Sequence, residues 1–484
     1  MIFRSLAAVF CFAVMVHAEP LPKGHVFFQT TNIVVATTSV KSFALPVEQM
    51  RGCTVRGTAQ LKAAEVSAKP NSWNGIKFML VIETPAGKQW PQAQLDTGTF
   101  GWQRVGFTTK IPADATGVTL CLGLEKVTGQ VWFDEVTIAV AKPPPTRAPV
   151  AASGPMFKGH DLPRLRGAMI HPNITADSLR TLGHDWRANL IRWHLIRHET
   201  KTDYDQWLDG ELQKLDAALP VCTEVGLMVV VDLHSPPGGK KTSGGYLGSD
   251  GGLFSDRRAQ DKFVEVWRRI AIRYKGAQPI WGYDLANEPV EDFVADACDD
   301  WHDLAERAAQ AIRAIDPVRA IICEAPPWGS PESLAEFTPL AVPHVVYSVH
   351  MYVPGEFTHQ GVHKPVPQPV SYPGIIAGKQ WDRAALEKVL QPVVDFQHRY
   401  NAHIYVGEFS AIRWAPADSG YRYIKDCIDI FERHGWDWSY HAFREWNGWS
   451  VEHSPVQTDN QPAGAPTDRQ KLLCDWFAEN QKPR

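Results

Sequence analysis

Two hydrophobic rhythms divide this chain. Over residues 20–142 apolar side chains recur at every second position, in short runs such as HVFF (25–28), IKFMLVIE (76–83), QRVGFT (103–108), VTLCLG (118–123) and QVWFDEVTI (130–138). Period-two alternation marks strands with one buried face, and PAG (85–87) and PAD (112–114) supply the turns between them. About eight such strands in roughly 120 residues predict an all-β sandwich. From residue 156 the rhythm changes. Short continuous apolar runs at 165–170, 188–194, 226–234, 280–287, 320–325, 345–352, 403–409 and 438–444 read as strands buried on both faces. Between several of them lie amphipathic stretches with apolar residues three and four apart, clearest at 259–274, 299–315, 383–399 and 420–434.

Eight strand–helix units over about 320 residues predict a (β/α)8 barrel. The alternative, an open doubly wound sheet, usually carries a glycine-rich phosphate loop, and this chain has none. The run KPPPTRAPVAASGP (142–155) is a proline-rich, semi-rigid spacer between the two rhythms. The predicted division is therefore 1–18 leader, 19–142 sandwich, 143–155 linker and 156–484 barrel.

The leader assignment rests on Arg4, an apolar run from Leu6 to Val16, and the small-residue step Val16-His-Ala18, the pattern of a secretory signal peptide cut after Ala18. Its apolar run is too short to span a bilayer, and no later stretch of about 20 apolar residues follows. A secreted or extracytoplasmic location, the periplasm included, is expected, with no membrane span and a monomeric chain. Seven cysteines remain after the cut, an odd number without CxxC or zinc spacing. Buried small hydrophobes are the simpler reading for most of them, and Cys53 with Cys121 is the pair best placed for a bridge. A net charge of −4 gives no basic footprint, which argues against nucleic-acid binding. Eighteen tryptophans suit a protein that stacks rings on sugars, and they equally suit a large core.

Chemistry concentrates at strand ends. Glu288 closes IWGYDLANEP (280–289) and Glu408 closes HIYVGEFS (403–410), 120 residues or three βα units apart. In a barrel these are strands 4 and 7, whose ends face one another across the mouth. Two converging carboxylates are what glycosidic cleavage uses. One protonates the leaving oxygen, and the other attacks the anomeric carbon or activates a water. Asn287 can offer its amide to a sugar 2-hydroxyl, Arg192 can hold a carboxylate ionised, and His350 and Tyr352, two apart on a strand, share a face. His234 ends the third strand, with Asp232 deeper on the same face as a structural partner. Glu324 and Glu445 are rim or structural carboxylates. His359 and His363 have no carboxylate or cysteine partner at metal spacing, so they read as loop histidines. No cofactor or metal is expected.

These motifs give the second region a specific likeness. Asn287-Glu288-Pro289 after strand 4 and Gly407-Glu408-Phe409 after strand 7 resemble glycoside hydrolase family 5, the cellulase-type clan A barrel, over most of residues 160–450. The resemblance implies Glu288 as general acid/base with a raised pKa, Glu408 as nucleophile, and retention of configuration. It implies substrate-binding or supporting roles for Arg192, His234, Asn287, His350 and Tyr352. Strand 8 departs from the pattern: His441 stands where many relatives carry tryptophan, and Trp446, with Trp438 and Trp449 competing, is taken as the sugar platform. In the first region QVWFDEVTI (130–138), TGTFGW (97–102) and IPADA (111–115) resemble jelly-roll carbohydrate-binding modules, with Trp73, Trp90 and Trp102 as candidate sugar-facing rings. The expected activity is hydrolysis of a β-linked polysaccharide, a β-glucan or mannan. A transglycosylase or glycolipid-directed glycosidase, or a non-catalytic binding protein, are the alternatives.

Overall fold

A computed structural model describes residues 21, 25–30, 38–144, 151–198, 202–239, 252–363, 366 and 368–483. The expected leader and residues 145–150 of the linker lie outside them. The chain forms two compact units, Met1–Ala148 with Glu291–Cys298, and Pro149–Val290 with Asp299–Arg484.

The first unit holds β1 (Val26–Thr30), β2 (Thr38–Leu45), β3 (Thr54–Val66), β4 (Gly75–Thr84), β5 (Gly87–Gln89), β6 (Gly98–Lys110), β7 (Gly117–Glu125) and β8 (Gly129–Lys142). They make two antiparallel sheets, ordered β1-β8-β3-β6 and β2-β7-β4-β5. Alternation decides the core: Leu61, Phe107, Val131 and Phe133 from one sheet meet Phe78, Leu80, Leu120 and Leu122 from the other. The expected Cys53–Cys121 bridge does not form, and both thiols are buried and free. Cys53 precedes β3 in one sheet and bonds the Gln49 carbonyl, whereas Cys121 sits in the other sheet beside Ser42. The segment Glu291–Cys298, read from sequence as barrel, groups with this unit. There the Val294 carbonyl accepts from Arg56 Nε at 2.5 Å, and the Asp292 carbonyl accepts from Thr108 N at 2.8 Å.

In the second unit eight parallel strands close a barrel. They are β9 (Arg166–Ile170), β10 (Leu190–His194), β11 (Met228–Asp232), β12 (Ile280–Asp284), β13 (Ala320–Glu324) and β14 (Val345–Met351), then, after a small hairpin of β15 (Gly374–Ile376) and β16 (Lys379–Trp381), β17 (Ile404–Phe409) and β18 (Asp437–Phe443). The helices foreseen at 259–274, 299–315, 383–399 and 420–434 are present as Arg257–Tyr274, Trp301–Arg313, Arg383–Tyr400 and Ser419–His434. A further helix, Tyr204–Val225, starts at Asp203, whose side chain accepts from the amides of Asp205 and Gln206.

The lumen is plugged by Leu190, Val230, Trp281, Ile322, Val346 and Tyr405. Because strand side chains repeat at two, the residues two steps on occupy the next layer toward the C-terminal mouth. That step turns Leu190 into Arg192, Val230 into Asp232 and Ile322 into Glu324, so an apolar plug supports a charged layer.

The opposite end has its own buried polar joint. Asp437 Oδ2 lies 2.7 Å from His160 Nε2 and 2.6 Å from His403 Nε2, while Oδ1 accepts from Leu165 N at 2.7 Å. Burial works against the carboxylate's charge, but His403 and His160 hold its pKa below the usual range. Asp437→Ala should therefore destabilise the barrel by about 3–5 kcal/mol at pH 7 in urea unfolding. A folded-state pKa below the unfolded value means this contribution is complete above about pH 4 and fades as pH falls further. The gap between wild type and variant should narrow below that pH.

Candidate active site

Arg192 is wholly buried, and four carboxylates converge on its guanidinium. Nη1 lies 2.5 Å from Glu408 Oε1, while Nη2 lies 3.2 Å from Asp232, 3.0 Å from Asp284 and 3.1 Å from Glu324. Burial alone would weaken its charge, but the four acids push its pKa well above the ordinary value. Four anions around one cation overcompensate. Asp284 gives way: burial, with Glu324 and Asp232 beside it, raises its pKa well above that of a free carboxyl.

Glu288 and Glu408 are brought together by His350. Its Nδ1 is 2.9 Å from Glu288 Oε1 and 3.9 Å from Glu408 Oε2, and its Nε2 is 3.1 Å from Glu324 Oε1. Oxygen atoms of Glu288 and Glu408 and a nitrogen of His350 lie within 4.8 Å of one another. Burial disfavours an imidazolium, but Glu324, Glu408 and Glu288 outweigh it and raise the His350 pKa well above normal. Gly407 leaves room for this ring: a Cβ there would lie 2.7 Å from Ser348 Oγ and 3.0 Å from His350 Nε2.

The two glutamates are held differently. Burial would neutralise Glu408, but His350, His441 and Arg192 keep its pKa well below the usual carboxylate range. Tyr352 donates to its Oε2 at 2.8 Å, and burial beside Glu408 keeps that phenol protonated. Glu288 sits at φ +47°, its own amide anchored on Glu324 Oε2 at 2.9 Å. Glu324 is thus no rim residue. It is fully buried and ties Glu288, Arg192 and His350 together.

Asn287 is buried, and its Oδ1 accepts from Arg192 at 3.2 Å, which leaves its NH2 as the donor end for a hydroxyl. His234 Nδ1 lies 2.8 Å from Asp232 Oδ2, the structural support foreseen for that aspartate. Trp446 is 42% exposed and packs edge-on against Trp414 and Trp449. It is the buried Trp449, one of its sequence competitors, whose ring lies 6.0 Å from Tyr352 and 5.7 Å from His441. Sequence reasoning passed over Asp284 and His194. Both follow apolar strand residues and are fully interior, a placement that in sequence reads as structural.

Among the described residues, two trios have the donor types and spacing a metal could use: Glu288, His350 and Glu408, and at the barrel's far end His160, His403 and Asp437. In each, contacts of 2.6–2.9 Å already join the donors as hydrogen bonds, which a cation would have to break. His359 bonds Thr358 Oγ1 at 2.9 Å, and burial pushes its pKa down to about 4.

Comparison with known proteins agrees with this geometry. The family model of cellulase, glycosyl hydrolase family 5, matches residues 150–447. Endoglucanase C of Acetivibrio thermocellus is 27% identical over 273 residues, covering 50% of this chain and 76% of the relative. Cellodextrinase A of Ruminococcus flavefaciens is 24% identical over 262 residues, covering 52% and 73%. Among solved structures, Thermotoga maritima Cel5A in complex with cellobiose superposes with a TM-score of 0.52 at 21% identity, over 66% of this chain and 100% of that one, a likeness of fold. Through its barrel, this chain belongs to glycosyl hydrolase family 5, the cellulase family of retaining β-glycoside hydrolases.

Proposed function

We propose that this protein is an exported hydrolase of a β-linked polysaccharide, a β-glucan or mannan, working by double displacement with Glu288 as acid/base and Glu408 as nucleophile. One observation carries the reading. The two carboxyls share His350, and Glu408 is further surrounded by Arg192, Tyr352 and His441, donors of the kind that keep a nucleophile ionised. The acid at Glu288 protonates the leaving oxygen while Glu408 attacks the anomeric carbon. Glu288 then takes a proton from water, which displaces the enzyme carboxylate, so configuration is retained. The names of the relatives, endoglucanase and cellodextrinase, support a glucan. The leader-like residues 1–18 support export.

The sandwich supports a sugar-holding role. Phe27 pairs with Trp132 and Trp132 with Lys62 across neighbouring strands. Lys62 Nζ lies 4.5 Å from the Trp132 ring and 5.1 Å from the Trp102 ring. The row crosses all four strands of the β1-β8-β3-β6 sheet, with Trp102 44% exposed. Such a row offers flat faces for successive sugar rings. Trp73 and Trp90 are exposed as well, away from this row.

Reducing-sugar release on a panel of β-glucans, mannans and xylans tests the main reading. Glu288→Ala and Glu408→Ala should each lower kcat by about 10²–10⁴ or more. Azide should restore turnover and yield a β-glycosyl azide from the first variant and an α-glycosyl azide from the second. No release from any polymer by wild type would overturn the polysaccharidase assignment. The sandwich is tested separately in affinity gels. Trp102→Ala with Trp132→Ala should abolish retardation by the substrate polymer and leave kcat on a short soluble oligosaccharide unchanged; unchanged retardation would make the sandwich a spacer.

A further inference from the structure

The nucleophile has a second line of support that ordinary double displacement does not require. His441, near the end of β18, points Nδ1 at Glu408 Oε2 across 3.3 Å and Nε2 at Glu445 Oε2 across 3.2 Å. The Tyr352 hydroxyl bonds both Glu408 Oε2 and His441 Nδ1. With Glu408 ionised, the assignment of protons that fits these contacts makes His441 an imidazolium. It pairs through Nε2 with the Glu445 carboxylate and donates from Nδ1 to the Tyr352 oxygen, and Tyr352 donates its own proton to Glu408.

We propose that Glu445, His441 and Tyr352 form a relay, an ion pair followed by hydrogen bonds, that positions Glu408 Oε2 and keeps it anionic, with His441 as the positioning residue and Glu445 as its counter-ion. The proposal rests on Glu408 being the nucleophile. No proton travels along the relay. In the first step Glu408 forms its bond to the anomeric carbon while the aglycone oxygen leaves with the proton of Glu288. In the second, water gives a proton to Glu288 and attacks the same carbon, and the electron pair of the breaking bond returns to Glu408. The imidazolium is waiting for that returning charge, so the relay serves the second step as well as the first.

The surroundings isolate His441 as the cation for this task. Burial alone would discharge it, but Glu408 and Glu445 push its pKa up to about 10. Burial also opposes the Glu445 charge, and His441 with His194 holds that carboxyl down to about 2. Two other imidazoles act on these groups. Burial pushes His194 of β10 down to about 3 and His359, beyond β14, down to about 4, so both are neutral. His171, after β9, is also lowered by burial, with Glu445 acting the other way. His350 is a cation too, but its nearest carboxylates are Glu288 and Glu324, and it stands 3.9 Å from Glu408. Arg192 acts on the other nucleophile oxygen, Oε1.

The test is the pH profile of kcat/KM for the full chain and for His441→Gln and Glu445→Gln, on the polymer that wild type cleaves. Loss of the imidazolium lets the Glu408 pKa rise, so the acid limb should move up by about one pH unit in both variants while the basic limb stays. A structural role alone would scale the whole profile down without moving the limb. An unmoved acid limb in both variants would overturn the proposal. A second readout needs no activity. Imidazole nitrogen shifts, assigned by difference with His441→Gln, should show His441 doubly protonated at pH 8 in wild type and deprotonating at lower pH in Glu445→Gln. A neutral His441 at pH 8 in wild type would overturn the relay even if the enzyme cleaves every polymer on the panel. A charged one in a protein that cleaves none would uphold the relay's electrostatics and place the failure with the substrate assignment.

Discussion

A guanidinium without water decides most of this site. Arg192 sits in the barrel interior, where an isolated charge would cost many kcal/mol, and it is tolerable only because carboxylates surround it. Each of those acids is thereby fixed in place: Asp232, Asp284 and Glu324 on one nitrogen of the guanidinium, Glu408 on the other. The barrel delivers them from different strands to one point, which a flexible loop would not do. Changing any one partner alters the charge the others must balance, so the cluster behaves as one electrostatic unit and its members' protonation states are set together.

Within that unit the two glutamates have different surroundings. Both touch the same imidazole, and Glu408 also meets Arg192 on one oxygen and Tyr352 and His441 on the other. Glu288 is anchored mainly through its backbone, at a left-handed residue held by Glu324. A general acid is served by a fixed backbone beneath its carboxyl, and a nucleophile by donors that keep it ionised.

Much of this was legible in the sequence, for physical reasons. Barrel strands are buried on both faces, so they appear as unbroken apolar runs, and all eight stood within a few residues of their final limits. Glu288 and Glu408 stood out because a carboxylate at the end of such a run has few structural excuses. Partnership was not legible. Glu324 could be read only as rim or structural, because its partners Arg192, Glu288 and His350 come from other parts of the barrel, and nothing local records that. The Tyr204–Val225 helix escaped because Pro220 lies inside it and its apolar face is less regular than those of its neighbours. The disulfide failed because two strand-like cysteines in one domain still have two sheets to choose from.

The grouping of Glu291–Cys298 with the first unit has a temporal side. The sandwich core is complete once residue 142 has been made, yet the segment whose Val294 carbonyl receives Arg56, and whose Phe293 ring lies against Gly106, comes more than 140 residues later. At typical synthesis rates of about 5–20 residues per second that is a wait of roughly 8–30 s. A nascent chain would thus carry a sandwich with a closed interior and one unfinished surface while half the barrel was still unmade. The first unit folds early and is completed late, and its last piece reaches it through the chain of the second.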